Sequence, residues 1–350
     1  MESAGKIFVA GHNGMVGSAL MRKLREQGYS NLLTASHQEL DLRRQADVEA
    51  FFFKNKPDYV FLGAAKVGGI LANSTYKAEF IYDNLSIATN VIEAAYRNGV
   101  KKLLNLGSSC IFPRMAPQPL KESSLLTGPL ETTNEPYAIA KIAAIKLCRY
   151  YNEQYGTDYL SAMPTNLYGP RDNYDLEKSH VLPALIRKFH LAQLLHEQQF
   201  DSIREDIRKR TVGFGLQLHQ KSDTDIVAAL GPLGITANTV ALWGSGQPFR
   251  EFLYVDDLAD ALVFLMQKHH ASEIGEFVSI GTGIDLQISQ LAQLVRTVVN
   301  FKGDIVYDSS RLDGTPQKLL DVTHLNRLGW KASTSLEEGL RKTYDWYLRS

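Results

Sequence analysis

Through the first 170 residues, short apolar runs of strand length alternate with stretches whose apolar residues recur every three to four positions. That alternation marks parallel strands joined by helices, with the strands buried on both faces. Residues 6–10, 32–35, 59–64, 102–107 and 160–163 read as strands, and 15–27, 45–55, 81–97 and 134–155 as helices between them. Gly28 stops the first helix; the last has Pro136 in its first turn and Gly156 just past its end, where each is favoured. Ala138, Ala144, Ile145, Cys148 and Tyr151 make that helix's apolar stripe. Beyond residue 170 the alternation becomes irregular. Residues 252–255 and 277–280 read as strands returning to the main sheet, with Asp256 opening a helix over 257–267. The expected fold is α/β: a Rossmann-type doubly wound parallel sheet over 1–170, with returning segments near 252–281, and a smaller C-terminal α/β substrate lobe over 171–251 and 282–350.

Composition narrows the function classes. In 350 residues, 38 basic side chains balance 38 acidic ones, so there is no broad cationic surface to drive sequence-independent nucleic-acid binding. A hydrophobic content of 44% excludes disorder as the main state. Cys110 and Cys148 make neither a disulfide framework nor a metal quartet, and no metal is expected. With no signal-peptide pattern and no membrane-length apolar run, the expected location is cytoplasmic.

Three groups carry chemistry. Gly11-His12-Asn13-Gly14-Met15-Val16-Gly17 follows a strand and opens a helix. Its glycines allow a tight turn, close approach of a pyrophosphate and packing of helix on strand, while the helix N-terminus offers free N–H groups to phosphates. Tyr137 and Lys141, four apart, share one helical face. Alone such a pair is usually surface decoration; beside a dinucleotide turn it is a proton donor and a cation that brings a phenol's pKa toward use. Ser108-Ser109-Cys110 sits at the C-terminal end of a strand, where ligands of open α/β sheets bind. There a serine hydroxyl can polarise a carbonyl, and a thiol is either a base or a packing residue.

The G-x-x-G-x-x-G turn, Ser108, Tyr137-x-x-x-Lys141 and the chain length resemble the extended short-chain dehydrogenases/reductases that act on nucleotide sugars. Segments 10–17, 64–70, 106–113, 133–141, 163–170 and 243–257 tighten the resemblance to the GDP-L-fucose synthase family, across almost the whole chain. The resemblance implies NADPH-dependent 3,5-epimerisation and 4-reduction of GDP-4-keto-6-deoxy-D-mannose. It makes Tyr137 the donor to the C4 oxygen, Lys141 the group that tunes it and holds the nicotinamide ribose, and Ser108 the polariser of the carbonyl. Cys110 and His180 move the epimerisation protons, which are acidic because the C4 ketone delocalises the carbanion.

For NADP(H) the resemblance implies contacts from Gly11 to Gly17, from His37, Asp41 and Leu42, and from Ala64, Ala65 and Lys66. Further contacts come from Leu106, Gly107, Ser108, Ser109, Tyr137, Lys141, Pro164, Thr165, Asn166, Leu167 and His180. For the GDP-sugar it implies Lys188, Trp243, Arg250 and Asp313.

The chain departs from the family at Asn13 and His37, where basic residues commonly hold the 2′-phosphate, and in an insertion over 196–238. No carboxylate follows the second strand until Glu39, so NADPH is expected, held by Asn13, Ser36 and a partly charged His37. Its preference over NADH should be weaker than the family's and grow as pH falls. In the insertion, 201–210 and 226–233 read as two short helices. Ile226, Val227, Leu230 and Leu233 would form an exposed apolar strip unless covered by the body or a partner; with the superfamily's habit, this leads to an expected homodimer. Related GDP-4-keto heptose or colitose enzymes, another 4-epimerase or 4,6-dehydratase, and a non-enzymatic nucleotide sensor compete. Dehydratases place an Asp-Glu pair where this chain has Ser109-Cys110.

Overall fold

The computed structural model describes residues 1–310 and 313–350, with Ile70 described by its backbone. The strands, in chain order, are β1 (Ile7–Ala10), β2 (Leu32–Leu33), β3 (Tyr59–Leu62), β4 (Lys102–Leu106), β5 (Tyr159–Pro164), β6 (Asn166–Tyr168), β7 (Thr239–Trp243) and β8 (Phe249–Tyr254). They continue with β9 (Val278–Ile280), β10 (Asp285–Gln287), β11 (Asp304–Asp308) and β12 (Gln317–Lys318). The helices of the first half are α1 (Met15–Glu26), α2 (Gln45–Asn55), α3 (Ile70–Thr75), α4 (Lys77–Arg97) and α5 (Glu135–Tyr155). Those of the second are α6 (Val181–His196), α7 (Phe200–Lys209), α8 (Asp223–Leu230), α9 (Val255–Lys268), α10 (Ala271–Ile274), α11 (Ile288–Val299), α12 (Thr323–Arg327) and α13 (Leu336–Arg349).

The main sheet is parallel throughout, in the order β2-β1-β3-β4-β5-β9. The order reverses between β1 and β3, the switch point at which a doubly wound sheet opens a crevice at its carboxyl edge. Both faces are buried, so the strands read as unbroken apolar runs. Ile7, Val9 and Phe61 pack against Leu20 and Leu24 of α1 and Leu258, Leu262 and Leu265 of α9. Phe8, Val60 and Leu103 face Phe52 of α2, Val91 and Ile92 of α4, and Ala144 and Cys148 of α5. The α5 stripe is therefore core as expected, except that Tyr151 is half-buried.

Element boundaries differ where tertiary pairing overrides local pattern. The edge strand β2 is two residues long, because the chain leaves the sheet for a turn at Ser36. Helix α4 begins a turn before the expected residue 81, and α3 precedes it. Residues 252–255 do not return to the main sheet. The outer edge of β5 is already taken by β9, with Ala162 opposite Val278, so β8 pairs elsewhere: parallel with β6 and β12 and antiparallel with β10. Val255, expected as its last residue, opens α9 instead. Only the second returning segment joins the main sheet, as β9.

A second apolar core lies under α6, α7, α8, α11 and α13. Ile203, Ile207, Ile226 and Leu230 of the insertion are buried in it. The expected apolar strip is thus largely covered by the chain itself: Ile226 and Leu230 are buried, Leu233 is half-buried and Val227 alone is exposed. It supplies no argument for a partner.

Glu251, on β8 and fully buried, ties these parts together. Its Oε1 accepts the backbone N–H of Thr282 (2.6 Å) and Gly283 (2.7 Å), its Oε2 that of Leu320 (3.0 Å), and its carbonyl takes Asn166 Nδ2 (2.8 Å). Glu251→Gln turns an NH2 group toward at least one of those donors. Stability should fall by about 1–3 kcal/mol, the scale for a buried donor left without its acceptor. Urea denaturation checks this, and a midpoint equal to that of the parent chain would show that the carboxylate is not a structural tie.

Candidate active site

The crevice opens where β1, β3 and β4 end. Gly11 adopts φ +85°, and a Cβ there would stand 2.9 Å from the Cα of Ala64, so only glycine lets the two strand ends approach. A Cβ on Gly17 would overlap the Gly11 carbonyl oxygen, which explains the close seating of α1 on the turn. Gly14 caps α1 without a side chain, and no side-chain cap bond satisfies its first-turn N–H groups. Met15 and Val16 open that helix and pack on the core below, Asn13 is exposed, and His12 Nδ1 is buried without a partner. These residues fit a dinucleotide pyrophosphate: the turn leaves room for it, and the first turn of the helix carries no acidic side chain that would repel it.

The adenosine side is more crowded than the sequence indicated. Glu39 accepts the Ser36 backbone N–H at 2.7 Å, and this bond holds its carboxyl below the usual range. Ser36 N–H is therefore engaged, and a carboxylate stands at the turn expected to be free of one. His37 is exposed, with Nδ1 3.9 Å from Asp41 Oδ1. Arg43, which sequence reasoning missed, grips Asp41 through Nε (2.9 Å) and Nη2 (2.8 Å) and pulls its carboxyl down to about 2. Arg43 also reaches Asp83 at 3.3 Å, and Lys66 lies 3.4 Å from the other oxygen of Asp83. The Asp-Leu-Arg spacing after β2 was the available signal. Leu42 is buried, its carbonyl held by Asn90 (3.0 Å); Asn84 clamps both backbone groups of Lys66, fixing the Ala64-Ala65-Lys66 corner.

At the end of β4, Leu106 accepts Lys141 Nζ at 2.8 Å, and Gly107 donates to the Ala162 carbonyl at 2.8 Å. A 3-10 turn over Ser109–Ile111 follows, with Ser108 Oγ accepting the Cys110 N–H at 3.4 Å. Lys141 Nζ stands 5.6 Å from the centre of the Tyr137 ring, and burial draws its pKa down to about 8. The phenol goes the other way from expectation. Burial raises the Tyr137 pKa, the neighbouring Cys110 thiol disfavours the phenolate further, and the Ser108 hydroxyl only partly opposes this. Burial likewise raises the Cys110 thiol, against the opposing pull of Ser108, Lys318 and Lys141.

Ser108, Cys110, Tyr137 and Lys141 thus share one electrostatic environment. The segment that leads to His180 is linked to Tyr137 through a chain of contacts. The Tyr137 ring meets Phe80 edge-on at 6.3 Å, and Phe80 packs beneath Gly68. The adjoining Gly69 donates to the Lys178 carbonyl (2.9 Å), and a Cβ on it would stand 2.6 Å from the Ser179 carbonyl oxygen. His180 occupies the position before α6, open to solvent yet enclosed by cleft walls whose bulk lowers its pKa.

Pro164 ends β5, Thr165 N–H bonds Ile280 O (2.9 Å), and Asn166 and Leu167 continue into β6. On the far side, Lys188 Nζ donates to Ala241 O (3.0 Å) and lies 5.6 Å over the half-exposed Trp243 ring; burial lowers its pKa to about 8. Arg250 sits in register with Lys318 on adjacent parallel strands, and burial depresses the pKa of both. Lys318 is a second residue the sequence reading missed, although it lies five positions past Asp313. Asp313 itself is engaged: its oxygens take Ser245 N–H (2.9 Å) and Oγ (2.6 Å), closing the turn after Trp243. Among the described residues no cluster of His, Cys, Asp or Glu fits a metal ion, and no helix is long and apolar enough to cross a membrane.

A doubly wound sheet, a glycine-cradled helix end, and a Tyr-Lys pair beside a strand terminus define a nicotinamide-dependent α/β enzyme. The family model of the NAD dependent epimerase/dehydratase family matches residues 7–205 and 217–281. GDP-L-fucose synthase 1 of Arabidopsis thaliana is 52% identical over 349 residues, covering 100% of this chain and 95% of its own. GDP-L-fucose synthase of Escherichia coli (strain K12) is 47% identical over 351 residues, covering 99% and 97%. Among solved structures, a GDP-D-glycero-L-gluco-heptose synthase of Campylobacter jejuni, determined in the presence of NADPH, superposes with a TM-score of 0.91 at 38% identity, covering 99% of each chain. The chain therefore belongs to the NAD dependent epimerase/dehydratase family and, within it, to the family of the GDP-L-fucose synthases.

Gly17→Ala tests the cradle. The added methyl has no room beside the Gly11 carbonyl, so the turn must shift, at about 1–3 kcal/mol for overpacking. NADPH binding, followed by nucleotide fluorescence, should weaken at least tenfold (about 1.4 kcal/mol). Unchanged binding would show that the turn does not carry the cofactor.

Proposed function

We propose that the protein converts GDP-4-keto-6-deoxy-D-mannose to GDP-L-fucose by 3,5-epimerisation and NADPH-dependent 4-reduction, in a cytoplasmic setting. The observation that supports the reading is the convergence of Ser108, Cys110, Tyr137 and Lys141 near the end of β4, with the segment that precedes His180 tied to the same region through Gly69. A thiol and an imidazole on different elements suit removal of a proton from one face of C3 or C5 and its return from the other. Ser108 Oγ polarises the C4 carbonyl and stabilises the developing oxyanion. NADPH, when bound, supplies the hydride to C4. Tyr137, kept protonated by its burial, delivers the proton to the C4 oxygen, and Lys141 donates to the nicotinamide ribose while remaining anchored to Leu106. Lys188 and Arg250 face the diphosphate, and Trp243 the base or sugar. Their buried cations are high-energy without an anion, which favours its binding.

The Campylobacter heptose synthase, alike in fold over almost its full length, supports a second reading, in which the same residues process a GDP-4-keto-heptose. The higher identity to the fucose synthases favours the hexose.

The test is NADPH oxidation with each GDP-4-keto sugar, with product identification and solvent deuterium uptake at C3 and C5. Tyr137→Phe should cut reduction about 100-fold or more while binding NADPH normally. Cys110→Ser and His180→Asn should suppress deuterium uptake with hydride transfer partly retained. Normal uptake in both would leave Cys110 a packing residue and His180 a helix-start residue.

Exposed Tyr82 of α4 and Ile139, Tyr150 and Tyr155 of α5 support a homodimer formed through these neighbouring helices. Sedimentation should give a dimer at micromolar concentration; Tyr150→Glu should shift it toward monomer. A parent chain that sediments as a monomer would refute the assignment.

A further inference from the structure

Residues 172–180, which deliver His180 to the cleft, contain no helix or strand and are held from two sides. One side is the Gly69 contact with Lys178 and Ser179. The other is the stretch from the end of α7 to residue 214, most of which falls in the interval between the two segments matched by the family model.

Asp175 is the hub on that side. Its Oδ1 accepts the N–H groups of Glu177 (2.9 Å) and Lys178 (3.2 Å), folding the turn that leads to His180, and its Oδ2 accepts Thr211 Oγ1 at 2.9 Å. Leu176 N–H bonds the Val212 carbonyl at 3.1 Å, and the Glu177 carboxylate takes the Phe214 N–H at 2.6 Å. Gly213, at φ +90°, passes so close that a Cβ would stand 2.6 Å from Asp175 Oδ1. Behind the turn, Arg187 is wholly buried. It pairs with Asp206 (2.9 Å) and donates to the carbonyls of Tyr174 (3.0 Å), Arg210 (2.7 Å) and Thr211, so one guanidinium joins the His180 segment, α6 and the end of α7. Five N–H groups in a planar fork make this many-sided grip available to arginine alone.

We propose that residues 206–214 act as a brace that sets the position of His180, with Asp175 and Thr211 as positioning residues for proton transfer during epimerisation. The inference rests on the reading of His180 as a proton-transfer group. A side chain exchanging protons with carbon must be held within fractions of an ångström, and an irregular segment does not hold that tolerance unaided. The brace touches neither the glycine turn nor the Tyr137–Lys141 pair and acts through His180 alone, so its main effect falls on the epimerisation half of the reaction.

The experiment compares Asp175→Ala, Asp175→Asn and Thr211→Val in the full chain with GDP-4-keto-6-deoxymannose. It reads deuterium uptake at C3 and C5, the isotope effect on kcat with nicotinamide-deuterated NADPH, KM for NADPH, and Tm. Asp175→Ala and Thr211→Val should slow uptake about tenfold or more, as a displaced catalytic group does. The isotope effect should fall toward one as proton transfer becomes limiting, and any rise in KM for NADPH should be much smaller than the loss of uptake. Asp175→Asn, which still accepts both turn N–H groups, should restore uptake. Thr211 is exposed, so Thr211→Val remains informative if Asp175→Ala fails to fold. Uptake at the parent rate in folded Thr211→Val and Asp175→Ala overturns the brace, as does a loss that tracks Tm and is not restored by Asp175→Asn. His180→Asn separates the two readings. If it abolishes uptake while the brace variants do not, only the brace fails; if it leaves uptake normal, the His180 assignment fails and the brace falls with it.

Discussion

The buried carboxylate of Glu251 is the constraint on which the rest of the architecture turns. A charge inside the protein is tolerated only when donors surround it, and here the carboxylate takes backbone N–H groups from two separate segments, the bend after β9 and Leu320 beyond β12, while Thr165 and Asn166 reach the backbone carbonyl of the same residue. Gly281 must be glycine, because a Cβ there would collide with the carboxylate. This one group holds the carboxyl end of the main sheet against the strand that carries Arg250 and the strand that carries Lys318. The two sides of the crevice keep their spacing because they share an acceptor.

The same crevice shows how little a net charge reveals. The chain is neutral overall, yet Lys141, Lys188, Arg250 and Lys318 gather around one cleft, and burial pushes the pKa of each below its ordinary value. Each cation is there at an electrostatic cost that an anionic ligand relieves. Tyr137 and Cys110 are pushed the opposite way, toward their neutral forms. The cleft thus carries cations held at a cost and, beside them, groups held in their neutral forms.

Much of this was legible in the chain. The first five strands, α1, α2 and α5 follow from hydrophobic period and from Gly28, Pro136 and Gly156, which punctuate local structure wherever they occur. The glycine turn and the Tyr137–Lys141 pair also have local signatures. What escaped depended on distant partners. The route of β8 was decided by β9 occupying the edge of β5, a strand more than a hundred residues before β9 in the chain. Lys318 and Arg250 become neighbours only through strand register. The lowering of the phenol's pKa by Lys141 was inferred from helical spacing, but burial outweighs that effect and cannot be read from spacing. The insertion's apolar residues suggested a sticky surface because nothing in the sequence announces that α6 and α13 stand ready to cover them.

The uncapped start of α1 has a thermodynamic meaning beyond recognition. Because its first N–H groups lack a side-chain acceptor, the folded protein carries an incomplete helix end that a pyrophosphate completes, whereas the unfolded chain has no such site. Folding and nucleotide supply are therefore linked equilibria: at a free dinucleotide concentration of 100 times its dissociation constant, binding adds about 2.7 kcal/mol to the stability of the native state. Resistance to unfolding is in this way a property of the protein and its bound nucleotide together, and it falls as the free dinucleotide concentration drops toward the dissociation constant.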